Sequence, residues 1–232
     1  AGRLGRKTRR GFYDYGPDAV RPSPRIARPA PAPKQIVVQG DLGVAEPLLA
    51  RLKKAGIEAH RRSGEGVLRA GDLRIALTDG RCATEWSHML DAPVVLFDLA
   101  LDFSACTWLA LAPSDQSTDA DRAKACGLFQ AGGIQVAMLD DLPGLLVMRT
   151  VCMLANEAAE AVHTGVASAE AIERAMQLGV NYPNGPLAWA EAIGLKRVLE
   201  VIDHLTRVYG EDRYRASPLL RRKVQAKGRF HG

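Results

Sequence analysis

The sequence lacks most features that mark a membrane, secreted or metal-binding protein. No apolar run approaches the roughly 18 residues that a membrane-spanning helix needs, and charges fill the first twenty residues, where a signal peptide has an apolar centre. The cysteines stand singly with no C-x-x-C pair, which argues against a zinc site and against a disulfide framework: Cys82, Cys106, Cys126 and Cys152. We therefore expect a cytoplasmic protein with reduced thiols, no metal site and no membrane contact.

Sequence motifs of catalysis are also missing. The histidines show no metal-ligand spacing, and no H-E-x-x-H or G-x-S-x-G stretch supplies any of them with a catalytic partner. We interpret each one as a surface or helix-capping residue: His60, His88, His163, His204 and His231. Nothing in these patterns predicts a catalytic residue within the chain.

Positive charge is plentiful but confined to the termini. The net charge is +5, yet residues 1–34 hold nine Lys/Arg against two acids and residues 213–232 hold seven against none, so residues 35–212 carry a net charge of −9. Charge of this kind is typical of solvated tails, and no base-reading motif accompanies it. We expect no nucleic-acid partner, while a cofactor phosphate or a partner surface remains open.

Proline marks a boundary near the start of the chain. Residues 17–33 contain six prolines, which repeatedly fix φ, remove backbone donors and favour extended polyproline II structure. We interpret residues 17–34 as a linker. Residues 1–16 are too short to bury a core of their own, so we expect that segment to dock elsewhere, with the helical domain as the proposed surface.

Residues 35–140 alternate between strand-like and helix-like stretches. "KQIVVQG" is a β-branched run that ends at Gly40, and "VAEPLLARLKKAG" has a helical face that ends at Gly56. The later runs "LRIALTDG", "PVVLFDLAL", "TWLALAPS" and "IQVAML" are short, apolar and bounded by turn residues. This pattern predicts a Rossmann-like α/β domain with a small parallel sheet covered on both faces.

Residues 141–232 contain helical patterns only. A long apolar pattern begins at "PGLLVMR" and ends at Gly165, and the next helix has Ser168 as N-cap and Gly179 as its end. Pro186 and Pro218 each occupy a first-turn position of a further helix. We therefore predict an all-α domain after the α/β domain.

The strand-to-helix turn at Gly40 is a candidate nucleotide site. The second glycine of a dinucleotide fingerprint lies two residues after the first, which is Gly40 here. The chain has Leu42 at that second position, and we expect its side chain to obstruct a phosphate. The acid that should bind the ribose is replaced by Arg61 and Arg62, which favour a phosphorylated ribose instead. Gly40, Arg61 and Arg62 are therefore weak cofactor-binding candidates, and the alternative is a degenerate Rossmann-like remnant without a cofactor.

Two stretches resemble the C-terminal domain of 3-hydroxyacyl-CoA dehydrogenases. "PGLLVMR…NEAAEAVHTGVASAEAIERAMQLGVNYPNGPLAWAEAIGL" is similar to the helical core of that domain, and "LGRKTRRGFYDY" is similar to the segment that ends it. The resemblance implies that residues 1–16 are the tail of a preceding helical domain. It also implies that the chain is the C-terminal portion of a two-copy bacterial 3-hydroxybutyryl-CoA or 3-hydroxyadipyl-CoA dehydrogenase of fatty-acid or phenylacetate breakdown.

The resemblance also implies which parts of such a protein carry catalysis and cofactor binding. The family's catalytic serine, its histidine–glutamate pair and its GxGxxG loop match nothing here, and Met148 occupies the position of the catalytic asparagine of the helical domain. A thioether cannot donate the hydrogen bond that an amide supplies. We therefore expect no catalytic residue and no bound cofactor in this chain, with NAD and acyl-CoA bound by the full-length protein.

Three functions remain open from the sequence. We favour the mainly structural C-terminal half of an NAD-dependent dehydrogenase that oxidises 3-hydroxyacyl-CoA to 3-oxoacyl-CoA. Its partners would be the N-terminal catalytic domains of the same protein and a second copy bound through the helical domain. The alternatives are an independent, non-catalytic dimerisation module and a self-standing NADP-type dehydrogenase.

Overall fold

The computed structural model describes residues 2–20, 22 and 25–231. Its α/β part is built on one seven-stranded sheet with the spatial order β2-β1-β3-β4-β5-β6-β7. The strands are β1 Gln35–Gln39, β2 Glu58–Arg62, β3 Val67–Ala70, β4 Leu73–Leu77, β5 Val94–Phe97, β6 Trp108–Pro113 and β7 Gln135–Met138. The helices of this part are α1 Leu48–Lys54, α2 Ala83–Leu90 and α3 Asp119–Ala131. A Rossmann-like α/β unit is therefore confirmed.

The sheet is mixed, so the expectation of a parallel sheet was wrong. Strands β1, β2, β4 and β5 run in one direction, whereas β3, β6 and β7 run in the other. The reversal of β3 arises because β3 and β4 form a tight hairpin around Gly71 and Asp72, which places an antiparallel strand directly beside β1. A tight turn of this kind can join only antiparallel strands. A second reversal lies between β5 and β6, and β7 follows the direction of β6.

Helices cover the two faces of the sheet unequally. Ile36 and Val38 of β1 lie in the main core with Leu52 of α1 and Phe129 of α3. On the other face, Trp86 of α2 packs over the middle strands in a smaller apolar cluster. The outer strand β2 contributes nothing to either core, because all five of its residues are exposed.

The rest of the chain is helical, as predicted. The helices are α4 Val147–His163, α5 Ala169–Val180, α6 Pro186–Ile193, α7 Leu195–Tyr209 and α8 Pro218–Gln225. Helix α4 starts later than the apolar pattern suggested, because Gly144 and Leu145 have φ values of 72° and 50° and cannot continue a helix. Helix α5 runs past Gly179 and ends where Asn181 takes up the left-handed conformation.

The N-terminal segment does not dock on the helical domain in this structure. Residues 2–16 form a small turn stabilised by backbone hydrogen bonds among themselves, such as Gly5 N–H to Arg10 O. None of these residues is buried, and Phe12 is 94% exposed. The docking expected from the sequence is therefore not seen.

Candidate functional site

The carboxyl ends of β1, β4 and β5 lie along one edge of the sheet, which is the usual ligand-binding edge of an α/β fold. This edge also faces the helical domain. Gly80, just after β4, is so close to α7 that a Cβ at that position would lie 2.6 Å from the carbonyl oxygen of Val201. The edge is therefore where a nucleotide or substrate site should be sought.

Backbone from a neighbouring loop fills the space at the Gly40 turn. A Cβ on Gly40 would lie 2.1 Å from the carbonyl oxygen of Gly64, and the Gly40 N–H is already bonded to Arg62 O at 2.8 Å. Gly66 N–H in turn donates to Gln39 O at 2.7 Å. The loop between β2 and β3 thus occupies the position from which a pyrophosphate would approach the turn.

A carboxylate takes the hydrogen bonds that a phosphate would need. Glu46 Oε1 accepts from the backbone N–H of Leu42 at 2.9 Å, and the Arg61 guanidinium donates to both oxygens of Glu46. The Arg61 guanidinium beside Glu46 lowers the pKa of that carboxyl, so it is anionic at neutral pH. The Glu46 carboxylate would repel an anionic phosphate here, and Arg61 is already paired with that carboxylate.

Leu42 acts differently from the expectation drawn from the sequence. Its side chain is only 6% exposed and packs into the main core, so it does not project into the turn. Arg61 and Arg62 do not converge either, because consecutive residues of a strand point to opposite faces. Glu46 and the Gly64 backbone, not Leu42, are the groups that obstruct this turn.

Asp98 joins the end of β5 to the helical domain. One of its oxygens accepts from the N–H groups of Leu146 and Val147 at 2.9 and 2.7 Å, and the other accepts from Met148 N–H at 2.9 Å. Burial raises the pKa of Asp98, although these N–H groups and that of Leu99 oppose the shift. The carboxylate therefore caps the start of α4, where the helix dipole favours negative charge.

Met148 lies under this cap and faces the core. Its side chain is fully buried and its sulfur lies 3.7 Å from Cys152 Sγ, one turn along α4. Burial raises the pKa of the Cys152 thiol to about 12, so Cys152 stays protonated at neutral pH. This part of α4 serves packing.

A second buried acid holds the interface between the two parts of the chain. Asp79 accepts from Arg81 Nε at 2.9 Å and from the Trp86 indole N–H at 3.0 Å, and His204 Nδ1 of α7 lies 2.7 Å from the Asp79 carbonyl oxygen. Burial alone would raise the pKa of Asp79, but Arg81 and Trp86 hold it below its usual value. His204 is thus an interface residue with a carbonyl partner.

A small apolar crevice lies at the same edge, between the sheet and α6. It has a volume of about 240 Å³ and is lined mainly by Val44, Leu99, Phe103, Trp189 and Ile193. The Trp189 indole N–H makes no hydrogen bond within the described residues. The crevice is small relative to typical cofactor pockets of about 300–1,000 Å³.

Within the described residues no group of three or more His, Cys, Asp or Glu side chains is placed to hold a metal ion. Across the same ranges, no helix is both long and apolar enough to cross a bilayer. The two buried acids of this edge have structural partners: Asp98 caps the start of α4, and Asp79 contacts residues of α2 and α7.

The fold and this edge define a class: a shortened dinucleotide-binding-type sheet followed by a helical domain packed on its carboxyl edge. Residues 75–143 match the family described as "3-hydroxybutyryl-CoA dehydrogenase reduced Rossmann-fold domain". Residues 144–231 match "3-hydroxyacyl-CoA dehydrogenase, C-terminal domain". The chain is a protein of the 3-hydroxyacyl-CoA dehydrogenase type, as the sequence resemblance predicted.

Relatives of known name agree with this assignment. The chain is 35% identical over 223 residues to the 3-hydroxyadipyl-CoA dehydrogenase of Escherichia coli strain K12, covering 96% of the chain and 41% of that protein. It is 43% identical over 99 residues to a probable 3-hydroxybutyryl-CoA dehydrogenase of Bacillus subtilis strain 168, covering 43% of the chain and 34% of that protein. The chain therefore spans about two fifths, or less, of the length of these relatives.

A crystal structure supports the same family. That of the 3-hydroxybutyryl-CoA dehydrogenase from Escherichia coli K12 substr. MG1655 superposes with a TM-score of 0.80 at 32% identity. The superposition covers 97% of the chain and 42% of the crystallised chain. Both the shortened sheet and the helical domain are thus shared with a single, longer protein.

Three residues that organise this edge were not found from the sequence. Glu46 carried a weak signal, since it lies four residues after the turn that it closes. Asp98 and Asp79 ended predicted strands, but their partners lie in α4, α2 and α7, far away in sequence. Only the tertiary structure brings each of these acids to its hydrogen-bond partners.

Proposed function

We propose that the chain is the structural C-terminal portion of an NAD-dependent 3-hydroxyacyl-CoA dehydrogenase that acts in the cytoplasm. In this proposal the longer protein oxidises the 3-hydroxyl of a CoA thioester, and preceding domains supply NAD binding and catalysis. The names of the relatives support a butyryl or an adipyl substrate. Fatty-acid or phenylacetate breakdown is the pathway that the sequence resemblance implies, and we include it in the proposal. Residues 35–140 and 141–232 act as the degenerate α/β domain and the helical domain.

One observation carries the non-catalytic part of the proposal. The Glu46 carboxylate accepts from the backbone N–H of Leu42, just after Gly40, and the loop carrying Gly64 fills the adjacent space. These residues do not fit a dinucleotide, because the phosphate position already contains a negative charge and backbone atoms. The burial of Met148 supports the same conclusion for the substrate side.

Calorimetric titration of NADH and of NADPH into the chain tests this directly. We expect no binding of either nucleotide at ligand concentrations up to about 1 mM, a limit that corresponds to a binding free energy weaker than about 4 kcal/mol. The Arg62→Ala variant is the matched control for a surface contact with a 2′-phosphate. Micromolar binding of NADPH that weakens in this variant would favour the self-standing NADP-type dehydrogenase instead.

We propose further that two copies associate through their helical domains. Helix α5 exposes Leu178 and Val180 by 74% and 53%, and large exposed apolar side chains commonly mark contact surfaces. Sedimentation equilibrium of the chain should show a dimer that Leu178→Glu weakens. Leu101→Glu, at a 55% exposed position after β5, is the matched control. A monomeric wild-type chain would refute association of this portion by itself.

A further inference from the structure

The proline-rich segment before β1 lies on the α/β domain along much of its length. We call residues 25–33 the strap. The Ala27 N–H donates to the carbonyl oxygen of Val136 in β7 at 2.8 Å, so the strap begins to pair with the outermost strand of the sheet. Exposed sheet edges invite unwanted pairing, and covering them with a proline-containing segment prevents it.

A single side chain of α3 holds the strap backbone on both sides. The Gln130 amide oxygen accepts from Ala30 N–H at 2.9 Å. Its nitrogen donates to the carbonyl oxygens of Ala27 and Arg28 at 3.2 and 3.1 Å. Because an amide supplies both a donor and an acceptor, Gln130 matches three backbone groups of the strap at once.

The surface under the strap is shaped for close backbone approach. A Cβ on Gly127 of α3 would lie 2.2 Å from the Pro31 carbonyl oxygen and 2.5 Å from its carbon. Glycine within a helix costs about 1 kcal/mol relative to alanine, so its position beneath the strap has a steric reason. The strap itself presents only alanine and proline along residues 29–33, which keeps the approach unobstructed.

From these contacts we propose that the surface formed by α3 and β7 is a docking site for the strap. Residues 25–33 are then a fixed part of the α/β domain and not a free linker. Proline lowers the entropic cost of docking, because it restricts the unbound segment before it is held. The polypeptide that precedes residue 25 consequently leaves the domain at one defined place. The inference rests on the contacts alone and does not depend on the proposed function.

Amide hydrogen exchange of the whole chain, resolved by NMR, tests the strap. In the wild-type chain the amides of Ala27 and Ala30 should exchange at least about tenfold more slowly than in an unstructured Ala-Pro peptide. Gln130→Ala and Gly127→Ala should each remove most of that protection, while the core amide of Val38 keeps its own. The matched control is Gly179→Ala, because Gly179 is also helical and a Cβ there meets nothing within 4 Å.

A further variant separates docking from loss of fold. Gln130→Glu keeps an acceptor for Ala30 N–H but loses the donor to the carbonyls of Ala27 and Arg28, so protection should fall for Ala27 more than for Ala30. If Gly127→Ala fails to fold, the two Gln130 variants decide alone. Exchange of both amides at the rate of the free peptide in the wild-type chain would overturn the proposal.

Discussion

Replacing Glu191 by glutamine should detach the last residues of the chain. Glu191 of α6 accepts from the backbone N–H groups of Phe230 and His231 at 2.6 and 3.0 Å and from the Arg229 guanidinium at 2.9 Å. Its side chain is 8% exposed. Burial alone would raise the pKa of Glu191, but the N–H groups and the guanidinium outweigh it and lower the pKa to about 2.

The expected loss of stability follows from the lowered pKa of Glu191. Lowering the pKa from 4.5 to about 2 corresponds to at most about 3.4 kcal/mol between the two protonation states. Glutamine of the same shape keeps one acceptor oxygen, so we expect the Glu191→Gln variant to lose about 2 kcal/mol at pH 7. In a chain of this size that is a decrease in melting temperature of about 4–8 °C.

The dependence on pH gives an independent check. Because the folded-state pKa of Glu191 is depressed, its contribution is fully present above pH 4.5 and is lost as the pH falls towards about 2. Urea unfolding of the wild type and of Glu191→Gln should therefore differ by about 2 kcal/mol at pH 7 and converge near pH 2. A difference of less than about 0.5 kcal/mol at neutral pH, or a difference that persists under acid conditions, would refute this role of Glu191.

Two further substitutions and one deletion have expected effects on the stability of the protein. Gly80→Ala should cost about 2–4 kcal/mol in urea unfolding, because its Cβ would meet Val201 O at 2.6 Å, whereas Gly179→Ala should be neutral or stabilising. Met148→Asn restores the family's amide but buries it in an apolar site, so we expect a loss of about 2–4 kcal/mol and no dehydrogenase activity; a stable or active variant would contradict this. Deleting residues 1–16 should leave the melting temperature within about 1 °C, and a larger decrease would show docking that this structure lacks.

Local signals in the sequence predicted the helical half well. Ser168 caps α5 through a hydrogen bond from Ala171 N–H, and Pro186 begins α6, as its position suggested. Such signals act over a few residues and need no tertiary information. Pro218 likewise begins α8. Ser217 before it provides no side-chain cap: its hydroxyl has no partner within the described residues, and its N–H donates to Asn156 Oδ1 at 2.8 Å.

The sheet was harder to predict, because strands β2 and β3 have no sequence pattern that marks them as strands. Strand β2 reads "EAHRR" and is exposed along its whole length, so neither alternation nor a buried run marks it. Strand β3 was missed because it is only four residues long and is joined to β4 by the tight turn at Gly71. The reversed directions of β3, β6 and β7 make the sheet mixed, which the β-then-α pattern did not predict.

The candidate site depended on contacts that the sequence could not show. Arg61 and Arg62 are neighbours in the chain, yet strand geometry separates their side chains and Glu46 pairs with Arg61 only. The turn glycine was recognised, but the obstruction arises from Gly64, more than twenty residues later. The sequence was therefore sufficient to locate the turn, but the groups that surround it could be identified only from the structure.

The two borders of the sheet are protected by different means, and this has a consequence for assembly. At β2, the charged side chains of Glu58, Arg61 and Arg62 stand along a fully exposed strand, and charge of this kind discourages strand addition. At β7, the strap covers the border through its bond to Val136. Charge at β2 and the strap at β7 both disfavour the addition of a strand from another polypeptide, so growth of the sheet from one molecule into the next is disfavoured at both ends. We expect copies of the protein to meet through helical surfaces and to resist fibrous aggregation.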